Sequence, residues 1–226
     1  CGDLQGHAPY LEQALQALAH LPALEAKRKP AEKASARAST TDPEARVMKM
    51  ADGGFRPAYN LQFATATATQ VIVGVDVTNA GTDHGQLAPM VTQVEQRHHQ
   101  PPADMLVDGG FVTKEDIEQV SSRTTVYAPV PKPKNPARDP HAPLPTDSPA
   151  VAAWRERMGT PEAQAIYTER AATAECVNAQ ARNRGLRQLC VRGLAKVRSI
   201  ALWYAVAHNL SRAIALGAVA GFLHRS

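Results

Sequence analysis

Two carboxylates stand where this chain could do chemistry. Asp108 closes the short apolar run 104–108 (DMLVD) and is followed by Gly109, Gly110 and Phe111. An acid at the C-terminal tip of a buried strand sits where α/β sheets receive ligands. Glycines beside it let backbone or substrate approach closely. The plain alternative is an Asp in a strand-ending turn. Glu175 is the second candidate. It is the single acid from Arg170 to Ser226, against nine Arg or Lys. Such an acid suits a Mg²⁺ ligand beside phosphates, because the ion takes hard oxygen donors while phosphates need positive charge nearby. It equally suits a structural ion pair with Arg182 or Arg170. In a helix, Asn178 and Arg182 lie at i+3 and i+7 from Glu175 and share its face.

The other polar candidates read as structural. Asp76 sits inside an apolar strand run, where an unpaired carboxylate is costly, so it needs a neighbour, a sheet edge or a place in the site. Asp42 in STTDPEAR is a turn or N-cap residue, with Pro43 at a first helical position. Asp83–His84 resembles another cap. His98 and His99 lack a metal-ligand partner at useful spacing and read as surface. His208 in WYAVAHNL reads as a satisfied core histidine. The three cysteines are odd in number and form no CxxC, which argues against a disulfide framework or zinc site and fits a reducing cytoplasm.

These residues need elements to hold them. With 226 residues, 44% hydrophobic and 20% charged, the chain has the composition of an ordinary soluble domain and enough length for a sizeable core. A net charge of +4 permits nucleic-acid binding without demanding it. Leu11, Leu15, Leu18 and Leu24 predict an amphipathic helix over 8–27, ended or kinked near Pro22. Residues 27–39 read as a basic linker or insertion, so residues 1–41 stand apart from a domain at 42–226. Strands are expected at 58–68 and 70–78, close enough for a hairpin, and again at 104–108 and 124–130. Helices are expected at 84–99 and at 113–122, the latter with Thr113 as N-cap. Residues 129–149 hold eight of the 17 prolines, too many for regular structure, and read as an extended surface excursion. Helical patterns follow at 151–184 and 188–217. The order is that of an α/β fold with a mixed sheet. The apolar stretch 200–223 carries His208, Asn209, Ser211 and Arg212, so it reads as a buried helix and not as a membrane span. No signal peptide opens the chain, and a start at Cys1 in place of Met reads as part of a longer protein.

The runs STTDPEARVMKMADGGFRPAYNLQFAT, QVIVGVDVTNAGTDHGQLAPMV and LVDGGF resemble bacterial insertion-sequence transposases with a DDE catalytic domain. The run YTERAATAECVNAQARNRGLRQLCVRGLAKVRSIALWYAVAHNL is similar to their C-terminal signature. A related group carries Tyr-x2-Arg-x3-Glu-x6-Lys around its last carboxylate. Tyr167, Arg170, Glu175 and Arg182 are the matching positions, with the Arg-to-Glu gap one residue longer and Arg182 in place of Lys. The resemblance implies an RNase H-like mixed sheet and DNA cleavage and joining by phosphoryl transfer. It implies two Mg²⁺ or Mn²⁺ ions about 4 Å apart. It makes Asp108 and Glu175 catalytic and metal-binding, and Tyr167, Arg170, Arg182, Arg184 and Arg187 DNA-binding. It implies double-stranded DNA as partner, leaves a homodimer open, and places the protein in the bacterial cytoplasm at the nucleoid. No residue here matches the family's first aspartate, which lies on the first, central strand. A chain lacking that strand is expected to be inactive, with DNA binding as the activity that remains.

Overall fold

The computed structural model describes residues 8–50 and 53–218. Cys1 and the end of the apolar stretch, 219–223, lie outside the described residues. The chain divides into two compact units. One holds the described parts of Cys1–Leu61 together with Asp76–Gly81 and Gln188–Trp203. The other holds Gln62–Val75, Thr82–Arg187 and the described part of Tyr204–Ser226.

In the first unit, α1 spans Ala8–Ala26 and a 3₁₀ turn spans Pro30–Ser35. Helix α1 does not end near Pro22 but runs through it. The helix loses a backbone donor there, but its Ala- and Leu-rich sequence favours helix on both sides. Its leucines at 11, 15 and 18 are exposed. Strands β1 (Arg46–Lys49) and β2 (Phe55–Ala58) pair antiparallel, Arg46 opposite Ala58. Asp42 begins the turn that leads into β1, with Ala45 N–H donating to its carbonyl at 3.1 Å. It caps no helix of its own there. Its carboxylate accepts the Tyr59 hydroxyl at 2.8 and 2.9 Å and the Gly193 N–H at 3.2 Å. Glu44 accepts the Leu194 N–H at 2.9 Å and so caps the start of α7, Leu194–Ala215. Burial first, then the bond to Asp42, pushes the Tyr59 hydroxyl pKa up.

The second unit carries the larger core. Strand β3 (Asn60–Thr65) pairs with β4 (Ile72–Thr78), closed by Ala66 N–H to Val71 O at 2.9 Å. Helix α2 (Leu87–His98) packs on β4 at Gly74, where a Cβ would come within 2.7 Å of Met90 Sδ and 3.0 Å of Ala64 Cβ. Strands β5 (Asp104–Leu106) and β6 (Thr125–Tyr127) run parallel, joined by α3 (Lys114–Val120). Thr113 and Asp116 form the capping box that opens α3. Asp116 also accepts the Ala88 N–H in the first turn of α2, which has no side-chain cap of its own. Leu87, Val91, Val107, Ile117, Val120, Val126, Val151 and Trp154 form the core.

Helices α4 (Pro149–Met158) and α5 (Pro161–Arg170) begin on Ser148 and Thr160 caps with proline at the first helical position. A π-helical turn (Ala171–Glu175) leads into α6, Cys176–Asn183. The predicted α/β order is present. The strands among the described residues stand as three two-stranded pairs, β1–β2, β3–β4 and β5–β6, in place of one mixed sheet. Helix α7 is also less buried than expected. Val197, Ala201, Ala205 and His208 line its buried stripe, while Trp203 is 73% exposed and Val206, Leu210 and Ile214 face out.

Candidate functional site

Asp108 stands two residues beyond the end of β5, after Val107, and is held in a turn. Its Oδ1 accepts the Gly110 N–H at 2.9 Å, and the Phe111 N–H donates to its carbonyl at 3.2 Å. A Cβ at Gly110 would lie 3.2 Å from that Oδ1, so the glycine keeps the turn uncrowded. The other oxygen, Oδ2, accepts the Arg170 Nη2 at 3.1 Å. Arg170 is the last residue of α5, and Tyr167 stands one turn before it. Tyr167 packs against the core, and burial raises its pKa. The Arg170 charge opposes that rise and the Asp108 charge adds to it. Asp108, Tyr167 and Arg170 therefore form one cluster, drawn from a strand end and a helix 62 residues apart in sequence.

Glu175 is exposed and ends the π-helical turn. That turn answers the unusual spacing. In an α-helix of 3.6 residues per turn, the fifth residue on from Arg170 falls roughly 140° away from it. A π-turn closes on i→i+5 and brings the fifth residue back over the first. The extra residue between Arg170 and Glu175 is thus absorbed, and the two return to one side of the helix. No hydrogen bond or ion pair joins the Glu175 side chain to another group among the described residues. The ion pair considered with Arg170 or Arg182 is not formed, since Arg170 takes Asp108 and Arg182 Nε donates to the Asn178 carbonyl at 3.3 Å.

Arg182, Arg184 and Arg187 are exposed at and beyond the end of α6. The Arg184 charge tempers a rise in the Tyr204 pKa that burial causes. The residues present do not, as arranged, make a divalent-metal centre. Among the described residues no group of three His, Cys, Asp or Glu stands together. Both Asp108 oxygens are engaged.

The remaining candidates have local partners or lie at the surface, but the reading of His208 as fully satisfied is corrected, since its buried Nδ1 has no partner. Asp76 Oδ1 accepts the Val77 N–H at 2.9 Å. His208 is 1% exposed, and its Nε2–H donates to the Gln70 carbonyl at 2.8 Å. His98 and His99 are exposed. Sequence reasoning missed the role of Asn209, whose amide pairs with both the N–H and the C=O of Ile72 at 2.8 Å. It also missed Arg212, which binds the Thr69 carbonyl at 2.9 Å. The signal was there: three polar side chains, His208, Asn209 and Arg212, in an apolar helix need backbone partners.

Among the described residues, no helix is long and apolar enough to cross a membrane. Comparison with curated proteins and with solved structures gives no match. Residues 144–214, which include Tyr167, Arg170, Glu175 and the three arginines, match the family model of the transposase DDE domain. Over that stretch the chain is similar to DDE-type transposases.

Proposed function

We propose that this chain serves DNA transposition by phosphoryl transfer, and that in the arrangement described it binds double-stranded DNA but cuts it little or not at all. The observation that carries the reading is the Arg170–Asp108 bond. It ties the segment matching the transposase family to an acid that lies outside that segment, at a strand end where α/β folds act. Asp108 and Glu175 are then the two acids of the site, in an RNase H-like arrangement. Arg170 and Tyr167 hold the DNA end, and Arg182, Arg184 and Arg187 bind phosphates.

The weak cutting follows from charge. DDE transposases work with divalent ions held by three carboxylates. Here one acid is neutralised by Arg170 and the other stands apart from it in bonding. DNA binding has no such requirement, because exposed arginines release counterions from phosphates unaided. The test is fluorescence anisotropy of a labelled duplex at several salt concentrations. Binding that weakens steeply with salt, and a slope reduced by about 3 in R182A/R184A/R187A, supports the reading. Absence of salt-sensitive binding by the intact chain overturns it.

A further inference from the structure

The proline-rich stretch at 129–149 is tied down by a buried acid. Asp147 has a side chain 0% exposed and accepts three donors: Lys114 Nζ at 2.7 Å, Arg155 Nε at 2.6 Å and the Leu144 N–H at 3.0 Å. Burial alone would raise its pKa, but these donors hold it down at about 2. Arg155 reaches on with Nη1 to the Pro140 carbonyl at 3.1 Å. Two residues, Asp147 and Arg155, therefore fix the stretch at 140, 144 and 147. At Gly159 a Cβ would stand 3.0 Å from His141 Cβ, so the end of α4 packs closely on it as well.

The other end of the stretch is basic. Lys132 lies between Pro131 and Pro133, and Lys134 follows. Proline fixes its own φ and pushes the residue before it into extended backbone. Val130 and Lys132 both precede prolines, so the lysines sit on a stiff, extended run, roughly 6 Å apart at about 3.1 Å per residue. Asn135 then turns the chain, its Oδ1 accepting the Ala137 N–H at 3.0 Å, and Arg138 follows. Lys132, Lys134 and Arg138 border a cavity of about 280 Å³ with Arg155. The one acid in its lining, Asp139, has Oδ1 on the His141 N–H at 2.9 Å. Among the described residues no ion pair engages Lys132, Lys134 or Arg138.

We propose that this strap is a second phosphodiester-binding surface, in which Lys132, Lys134 and Arg138 grip the sugar-phosphate backbone of duplex DNA. Three exposed cations on a stiffened backbone lose little freedom when an anion arrives. The cations border a cavity that one stretch of an extended polymer can enter. The proposal rests on the DNA partner argued above.

The probe is a labelled duplex of arbitrary sequence, titrated with the full chain across about 50–200 mM salt. For K132A/K134A/R138A the salt slope is expected to fall by about 3, independently of the R182A/R184A/R187A effect. The variant K132R/K134R/R138K keeps the charges and is expected to keep the slope. Inorganic phosphate at equal ionic strength is expected not to compete. A slope unchanged in the alanine variant overturns the strap proposal and leaves the function intact, provided the arginine variant still lowers it. Competition by inorganic phosphate also overturns it, since the surface then takes a lone anion. If the intact chain binds no duplex, both readings fail together.

Discussion

Asp147 and Asp108 are both aspartates paired with an arginine in the same unit, yet they are built for different work. Asp147 is 0% exposed and takes two cationic side chains and a backbone N–H. Asp108 is 42% exposed and takes one arginine, at 3.1 Å, and one backbone N–H. The first bond set is dry, short and redundant. The second is open to solvent and rests on one removable cation. A buried pair broken on one side leaves an uncompensated charge, whereas an exposed pair is worth little to stability. A carboxylate that must meet a substrate has to be of the second kind.

The comparison breaks first at Asp147. Replacing it with alanine leaves Arg155 buried without its partner and is expected to cost about 3 kcal/mol. For a chain of this size that is a fall in Tm of roughly 6–12 °C in a thermal melt. A melt unchanged within about 2 °C would mean that the strap is not anchored as described. The same residue sets an acid limit. Its pKa in the folded chain is about 2, below the ordinary value of 3.8, so its contribution is complete above about pH 4 and fades as the pH falls towards 2. Tm measured from pH 5 down to 2 is expected to drop across that window, and the drop is expected to be smaller in D147A.

Asp108→Asn is expected to shift stability by less than about 1 kcal/mol, because its pair with Arg170 is solvent-exposed. A larger loss in denaturant titration would make Asp108 a structural residue like Asp147. The smallest effect is expected from deleting Ala172. The deletion gives Arg-x3-Glu, a spacing that an ordinary α-helix keeps on one side. The π-turn should become α-helical with the melt and DNA affinity almost unchanged. Insertion of one alanine at the same place should instead lower DNA affinity, by rotating the arginines beyond Glu175.

Much of this was legible in the sequence. Short-range signals carried their elements: Thr113 with Asp116 opened a helix, and the β-branched run 70–78 contained a strand. Asp108 could be singled out because a strand end followed by two glycines is a local pattern. What could not be read was partnership. Nothing near Asp108 in sequence announces Arg170, 62 residues on. The one-residue excess between Arg170 and Glu175 was visible, but its resolution by a π-turn depends on what each side of the helix packs against. Asp42 reads as a turn or N-cap residue, and it does begin a turn, but the bonds of its carboxylate to Tyr59 and Gly193, 17 and 151 residues away, could not be read locally. The strand pair β1–β2 escaped notice because Arg46–Lys49 and Phe55–Ala58 are only four residues each, and Pro57 argues against a strand.

The most direct test of the account is a nicking assay on supercoiled plasmid with the full chain in Mg²⁺ or Mn²⁺, beside Asp108→Ala. The prediction is salt-sensitive plasmid binding by both proteins, with no more nicked product from the intact chain than from Asp108→Ala. Nicking that requires both metal and Asp108 would contradict it, and would mean that Asp108 and Glu175 assemble a working centre that the described arrangement does not contain.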